Sequence, residues 1–192
     1  MARSFCIDLS QLEQAQLLVI ARRSIESGLR GGNALRLDIE SLSDSLAPQM
    51  AAFVTLTKSR ALRGCIGSLE ASEPLAQAVA SAAFNAAFHD SRFAPLDATE
   101  IDTTLIEISL LSEPEPLDAT DRKDLLAKLN PQEDGLLLED ARYRSTFLPK
   151  MWEKINDPED FLNHLLAKAG LPGDYWSESI CFKRYQALSF GE

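Results

Sequence analysis

Between Ala15 and Leu29 apolar side chains recur at Leu18, Ala21 and Ile25, the three-to-four spacing of one helix face, and Ser10 with Glu13 forms an S-x-x-E capping box ahead of them. This predicts an amphipathic helix over residues 11–29, ended by Gly28 and the pair Gly31-Gly32. After an irregular stretch around Pro48, "AAFVTLTKSRALRGCIGSLE" predicts two extended segments, 51–57 and 62–69, joined by a polar turn at Lys58 to Arg60. "SEPLAQAVASAAFNAAF" predicts a helix with Ser72 as N-cap and Pro74 as its first residue, running to about Phe88. Its alanines let another element approach closely, so deep burial is expected.

Further along, "TTLIEISLLS" alternates with a period of two and predicts a strand with a buried face, stopped by Pro114 and Pro116. Residues 121–129 predict a short helix, and "GLLLE" and "YRSTFL" a hairpin turning at Asp140 to Arg142. Asp157-Pro158 starts a helix on Phe161, Leu162, Leu165, Leu166 and Ala169, which Gly170 and Pro172 end, and "ESICFKRYQALSF" predicts one last strand. Hairpins recur without regular βαβ alternation. The fold class expected is therefore α+β, a mixed or antiparallel sheet flanked by helices with room for a small second lobe. No linker forces a boundary within residues 1–192, so a single domain is expected.

Composition narrows the function classes. With 192 residues, 45% hydrophobic and 25% charged, the chain is globular in type. No apolar run reaches a membrane span and "MARSFCIDLS" lacks the pattern of a secretory signal, so a cytoplasmic protein without a membrane role is expected. Cys6, Cys65 and Cys181 are few and far apart, which fits reduced thiols. Neither His89 nor His164 stands in a metal-ligand spacing, so no metal and no cofactor is expected. The net charge is −10, which repels a polyphosphate. Residues 1–63 carry 8 Lys/Arg against 6 Asp/Glu, and residues 64–192 carry 11 against 23. Nucleic acid, for which Arg22, Arg23, Arg30 and Arg36 are the available cations, is accordingly the least favoured partner.

The candidate chemistry centres on Cys65, set between Gly64 and Gly67 and two residues after Arg63. A thiol becomes a nucleophile as the thiolate, which a nearby cation favours. Arg63 reaches the thiol's face of the strand only if the alternation breaks there, and Gly64 and Gly67 are positions where it can. Two readings of the residues stay open. In one, Cys65 is the reactive thiol, Arg63 and the main chain at Gly64 and Gly67 hold a substrate anion, and His89 or Asp90 moves a proton. In the other, Cys65 is a core residue and the glycines accommodate the alanine-rich helix.

"FVTLTKSRALRGCIGSLE", "PLAQAVASAAFNAAFHDSRFAPL", "IEISLLSEPEPL", "DGLLLE", "STFLPKMW" and "FLNHLLAKAGLP" resemble, in order, the AMMECR-one domain family, whose bacterial members are also called the A protein of the AmmeMemoRadiSam system. The carrying motifs are L-R-G-C-I-G at Leu62 to Gly67, D-x-R-F at Asp90, Arg92 and Phe93, and T-F-L-P at Thr146 to Pro149. The resemblance implies an α+β fold with a smaller lobe. It also implies a role in a pathway shared with a Memo-like protein and a radical SAM protein as partners, on an unknown small molecule that Arg92 would help to bind. It carries no established activity. An enzyme or enzyme component with a Cys-centred site and a non-catalytic scaffold both remain as readings. Ser145 stands where the family commonly has glycine, and Lys150 where it has glutamine.

Overall fold

The computed structural model describes residues 9–38 and 42–192, so Cys6 lies outside the described residues. In chain order the elements are α1 (Gln11–Gly31), β1 (Ala51–Lys58), β2 (Ala61–Gly67), α2 (Leu75–Phe88), β3 (Thr104–Leu111), β4 (Glu115–Pro116), α3 (Arg122–Lys128), β5 (Gly135–Asp140), β6 (Tyr143–Phe147), α4 (Pro158–Lys168), β7 (Cys181–Tyr185) and β8 (Ala187–Gly191). Short 3-10 turns occupy Ala98–Thr103 and Pro149–Glu153. The fold is α+β, with two four-stranded sheets. The chain divides into two compact units, one ending at Leu111 and completed by Leu188–Glu192, the other spanning Ser112–Ala187. No helix among the described residues is long and apolar enough to cross a membrane.

In the first unit the sheet order is β2-β1-β3-β8, and β1 pairs antiparallel with both β2 and β3. Val54 and Leu56 of β1 and Ile106, Ile108 and Leu110 of β3 share one face and are buried. α2 lies in the same core, with Val79, Ala80, Ala83 and Ala86 at 1% exposure or less, as its small side chains lead one to expect. α1 adds Leu17, Ala21 and Ile25. The Ser10–Glu13 capping box is present, with the Ser10 N–H donating to Glu13 Oε2 at 2.8 Å. Gly32, at φ +70°, closes the helix in the left-handed region.

Two local expectations need correction. Gly28 does not end α1: it lies within it, where a Cβ would stand 2.3 Å from a Phe88 ring carbon. Ser72 does not cap α2. Pro74 is the N-cap, and the first helical N–H groups, of Leu75 and Ala76, donate to Pro48 O at 2.9 Å and Leu46 O at 3.2 Å. Arg22, one of the four cations considered for nucleic acid, donates to the carbonyls of Ile101 at 2.6 Å and Thr104 at 2.9 Å and pairs with Glu192.

The second unit has the sheet order β4-β7-β5-β6, antiparallel throughout. Its core joins Leu136 and Leu138 of β5 to Phe161 and Leu165 of α4, and Trp152 stacks on Phe161 with centroids 3.8 Å apart. Ser145 is buried and donates to Leu165 O at 2.8 Å, so its hydroxyl ties β6 to α4. The C-terminal stretch is two strands and not one. β7 belongs to this sheet and β8 to the other, with the break at Gln186, whose N–H donates to Ser112 Oγ at 2.9 Å.

Candidate functional site

β2 is the edge of its sheet, so every second residue turns its N–H and C=O away from β1. The pairing runs Thr55↔Cys65 and Leu56↔Gly64, then Thr57↔Leu62, which leaves Arg63 as the extra residue of a bulge. The alternation therefore breaks at Arg63, as the thiol hypothesis requires. The Arg63 guanidinium is nonetheless engaged elsewhere: Nε donates to Glu100 Oε1 at 3.1 Å and Nη2 to Glu100 Oε2 at 2.8 Å. Lys58 Nζ reaches the same carboxylate at 2.9 Å. These donors, Arg63 first, hold Glu100 well below the usual carboxylate range. The local sequence signal for Glu100 is the D-x-x-E capping pattern at Asp97 to Glu100.

Cys65 is half-buried, and Thr55 Oγ1 donates to its Sγ at 3.3 Å. Its outward main chain is covered by side chains of the D-x-R motif. The Cys65 N–H donates to Asp90 Oδ2 at 2.9 Å, and Arg92 Nη2 donates to the Cys65 carbonyl at 3.3 Å. Arg92 also holds Asp90 through Nε at 2.9 Å, Nη2 at 2.6 Å and its own N–H at 3.2 Å. Asp90 is 6% exposed, and these bonds, the Arg92 side chain's first, hold its carboxyl far below the usual range. A carboxylate so committed is a poor proton acceptor. The same bonds hold Arg92 above its ordinary value. Its side chain is 54% exposed, so the cation at the Cys65 carbonyl faces solvent.

The glycines answer to packing. A Cβ on Gly64 would lie 2.1 Å from the Ala86 carbonyl oxygen of α2, and one on Gly67 2.3 Å from the Ala52 carbonyl oxygen of β1. Gly64 thus turns its Cα to the helix and not to a ligand. His89 is exposed at the end of α2, its ring 5.2 Å from that of Phe84, and among the described residues its ring makes no hydrogen bond. The structure therefore brings Cys65, Asp90 and Arg92 together, ties Arg63 to Glu100, and leaves His89 outside the cluster. Among the described residues no group of three His, Cys, Asp or Glu side chains is placed to hold a metal ion.

Residues 18–190, which contain this cluster, match the AMMECR1 family pattern. The chain belongs to the AMMECR1 family. An AMMECR1 relative from Methanothermobacter thermautotrophicus is 39% identical over 186 residues, covering 96% of both chains. Protein MJ0810 of Methanocaldococcus jannaschii is 36% identical over 189 residues, covering 96% of this chain and 92% of its own. The crystal structure of the uncharacterized protein PH0010 from Pyrococcus horikoshii superposes with a TM-score of 0.83 at 33% identity, over 92% of this AMMECR1 chain and 90% of that one.

Proposed function

We propose that this AMMECR1 protein acts as an enzyme or enzyme component through the thiol of Cys65, with Arg92 supplying the positive charge beside it. The observation that carries the reading is the Asp90–Arg92 clamp. One side-chain pair fixes the main chain of Cys65 on both its N–H and its C=O, and leaves a guanidinium more than half exposed at the carbonyl of a residue whose side chain is half-buried. A fixed thiol beside a cation is equipped for attack on, or binding of, an electrophilic small molecule bearing negative charge. Proton transfer by His89 finds no support in the geometry, so the substrate or solvent takes the proton in this reading. The pathway partners are those the family resemblance implies, a Memo-like protein and a radical SAM protein.

Iodoacetamide alkylation, followed site by site by peptide mass spectrometry, tests it. Cys181 is exposed and serves as an internal reference. At pH 7 Cys65 is expected to react faster than Cys181 despite its lower exposure, and Arg92→Met is expected to slow Cys65 by about threefold or more while leaving Cys181 unchanged. Arg92→Lys, which keeps the charge, retains most of the rate. A Cys65 rate below that of Cys181 at every pH, indifferent to Arg92, returns Cys65 to a packing role and the protein to a non-catalytic scaffold.

A further inference from the structure

The bulge at Arg63 has a second effect on β2. Leu62 and Cys65 would face opposite ways on a regular strand, but the extra residue between them brings both onto the face of their β1 partners, Thr57 and Thr55. On its other side Thr57 pairs with Leu105 and Thr55 with Glu107, so two cross-strand rows lie side by side, Leu62-Thr57-Leu105 and Cys65-Thr55-Glu107. All six residues belong to the first unit. Their face is the one turned away from α2, since a Cβ on the neighbouring Gly64 would point at Ala86. Thr55 Oγ1, donating to Cys65 Sγ at 3.3 Å, fixes the sulfur on it.

Leu62 is 43% exposed and Leu105 51%. Single exposed leucines are ordinary, whereas two flanking one threonine methyl make an apolar ledge next to the thiol. In the opposite direction the face closes, with Ser109 buried and hydrogen-bonded to Ser189 at 2.8 Å. Three side chains are far too few for a stable protein interface, which needs about 800 Å² from each partner. Nor can a peptide strand pair with β2 at Cys65, whose outward N–H and C=O are taken by Asp90 and Arg92. A short hydrocarbon chain fits the ledge. We propose that the electrophile offered to Cys65 is carried on an unbranched apolar chain that lies across Thr57 between Leu62 and Leu105. The two rows are about 7 Å apart along the strands, the reach of about six carbons. Glu107 is the charged side chain in the thiol's row, so the substrate's negative charge belongs at the β2 edge, where Arg92 stands, and not on this face. This substrate class rests on the Cys65 reading and adds an apolar part to it.

The test compares three probes, iodoacetamide, N-hexyl iodoacetamide and the iodoacetamide of aminoethoxyethanol, which is as long as the hexyl probe but polar. In each the thiolate forms the C–S bond, iodide leaves with the electron pair of the broken C–I bond, and the thiol proton goes to solvent. Dividing the rate at Cys65 by that at the exposed Cys181 of the same sample removes the probes' own reactivity. The hexyl probe is expected to raise this ratio about fivefold over iodoacetamide, the scale for a chain that an open ledge covers in part, and the polar probe to leave it within about twofold. Leu62→Ser combined with Leu105→Ser, two changes at exposed positions, is expected to cancel the gain while the iodoacetamide rate at Cys65 stays as it was. A hexyl ratio no higher than that of iodoacetamide, or matched by the polar probe, overturns the ledge, as does a gain that survives both substitutions. The two readings fail separately. A Cys65 slow with iodoacetamide and indifferent to Arg92 sinks the thiol reading, and a hexyl gain in that same protein still supports the ledge. A fast Cys65 without the gain overturns the ledge alone. Should the double variant fail to fold, the parent's ratios for the three probes decide.

Discussion

Gly64→Ala is expected to cost about 3 kcal/mol or more, among the largest losses available to a single methyl group in this chain. The added carbon would sit 2.1 Å from the carbonyl oxygen of Ala86 and 3.0 Å from its carbon, and both are backbone atoms. No rotamer change relieves a clash with main chain. The strand cannot retreat, because β2 is held to β1 through Leu56↔Gly64 and Thr55↔Cys65. Nor can the helix, since Ala83 and Ala87, on either side of Ala86 in α2, are themselves at 0% and 2% exposure. Urea unfolding measures the loss directly, and the melting temperature should fall by about 6–12 °C for a chain of this size. Gly31→Ala is the control. Its Cβ would meet nothing within 4 Å, so the change is neutral or mildly stabilising as a helix propensity gain. A Gly64→Ala protein as stable as the parent would remove close helix packing as the reason for the glycine and reopen a ligand role for it.

That glycine illustrates what was legible in the sequence. The pattern around it announced a hairpin because alternation, a polar turn and a following alanine-rich helix are all local signals. The turn itself places Ser59 and Arg60 at φ 52° and 65°, with no glycine to mark it. Which of the two explanations for the glycines holds depends on the distance to Ala86, 22 positions away, and no local pattern carries that distance. The same limit hides the division of the C-terminal stretch into two strands. "ESICFKRYQALSF" keeps an extended, half-apolar pattern across Gln186, with no Gly or Pro to mark the point where the chain leaves one sheet for the other. Arg63 is a third case. The sequence placed a cation beside the thiol, but the residue on the bulge turns to Glu100, and the cation that reaches Cys65 comes from Arg92, 27 positions on. Asp90 was legible as chemistry but not as role. A lone carboxylate reads as a base; the same carboxylate holding Arg92 and the N–H of an edge strand is a structural anion.

Asp90→Ala is accordingly expected to destabilise the first unit by about 2–3 kcal/mol and to disturb Cys65 through its main chain. Two losses combine. The Cys65 N–H loses its acceptor on the open edge of β2, and the Arg92 guanidinium loses a paired geometry worth more than a neutral hydrogen bond. Asp90→Asn should cost less, because the amide oxygen can still accept from Cys65, while its NH₂ faces the guanidinium unfavourably. The pH dependence separates charge from shape. The folded carboxyl is held far below its unfolded value near 3.9, so its contribution is fully present above that value and is lost as pH falls towards the folded one. The stability difference between the parent and Asp90→Asn should therefore be constant from about pH 5 to 8 and shrink below about pH 4. Glu100 titrates in the same acid range in both proteins and cancels in the difference. A difference that stays flat down to acid unfolding would mean that Asp90 contributes by shape alone. If instead the difference shrinks and the Cys65 alkylation rate changes in step with the substitution, the clamp is what presents the thiol, and Asp90 is a positioning residue for Cys65 in place of the proton carrier that its sequence context suggests.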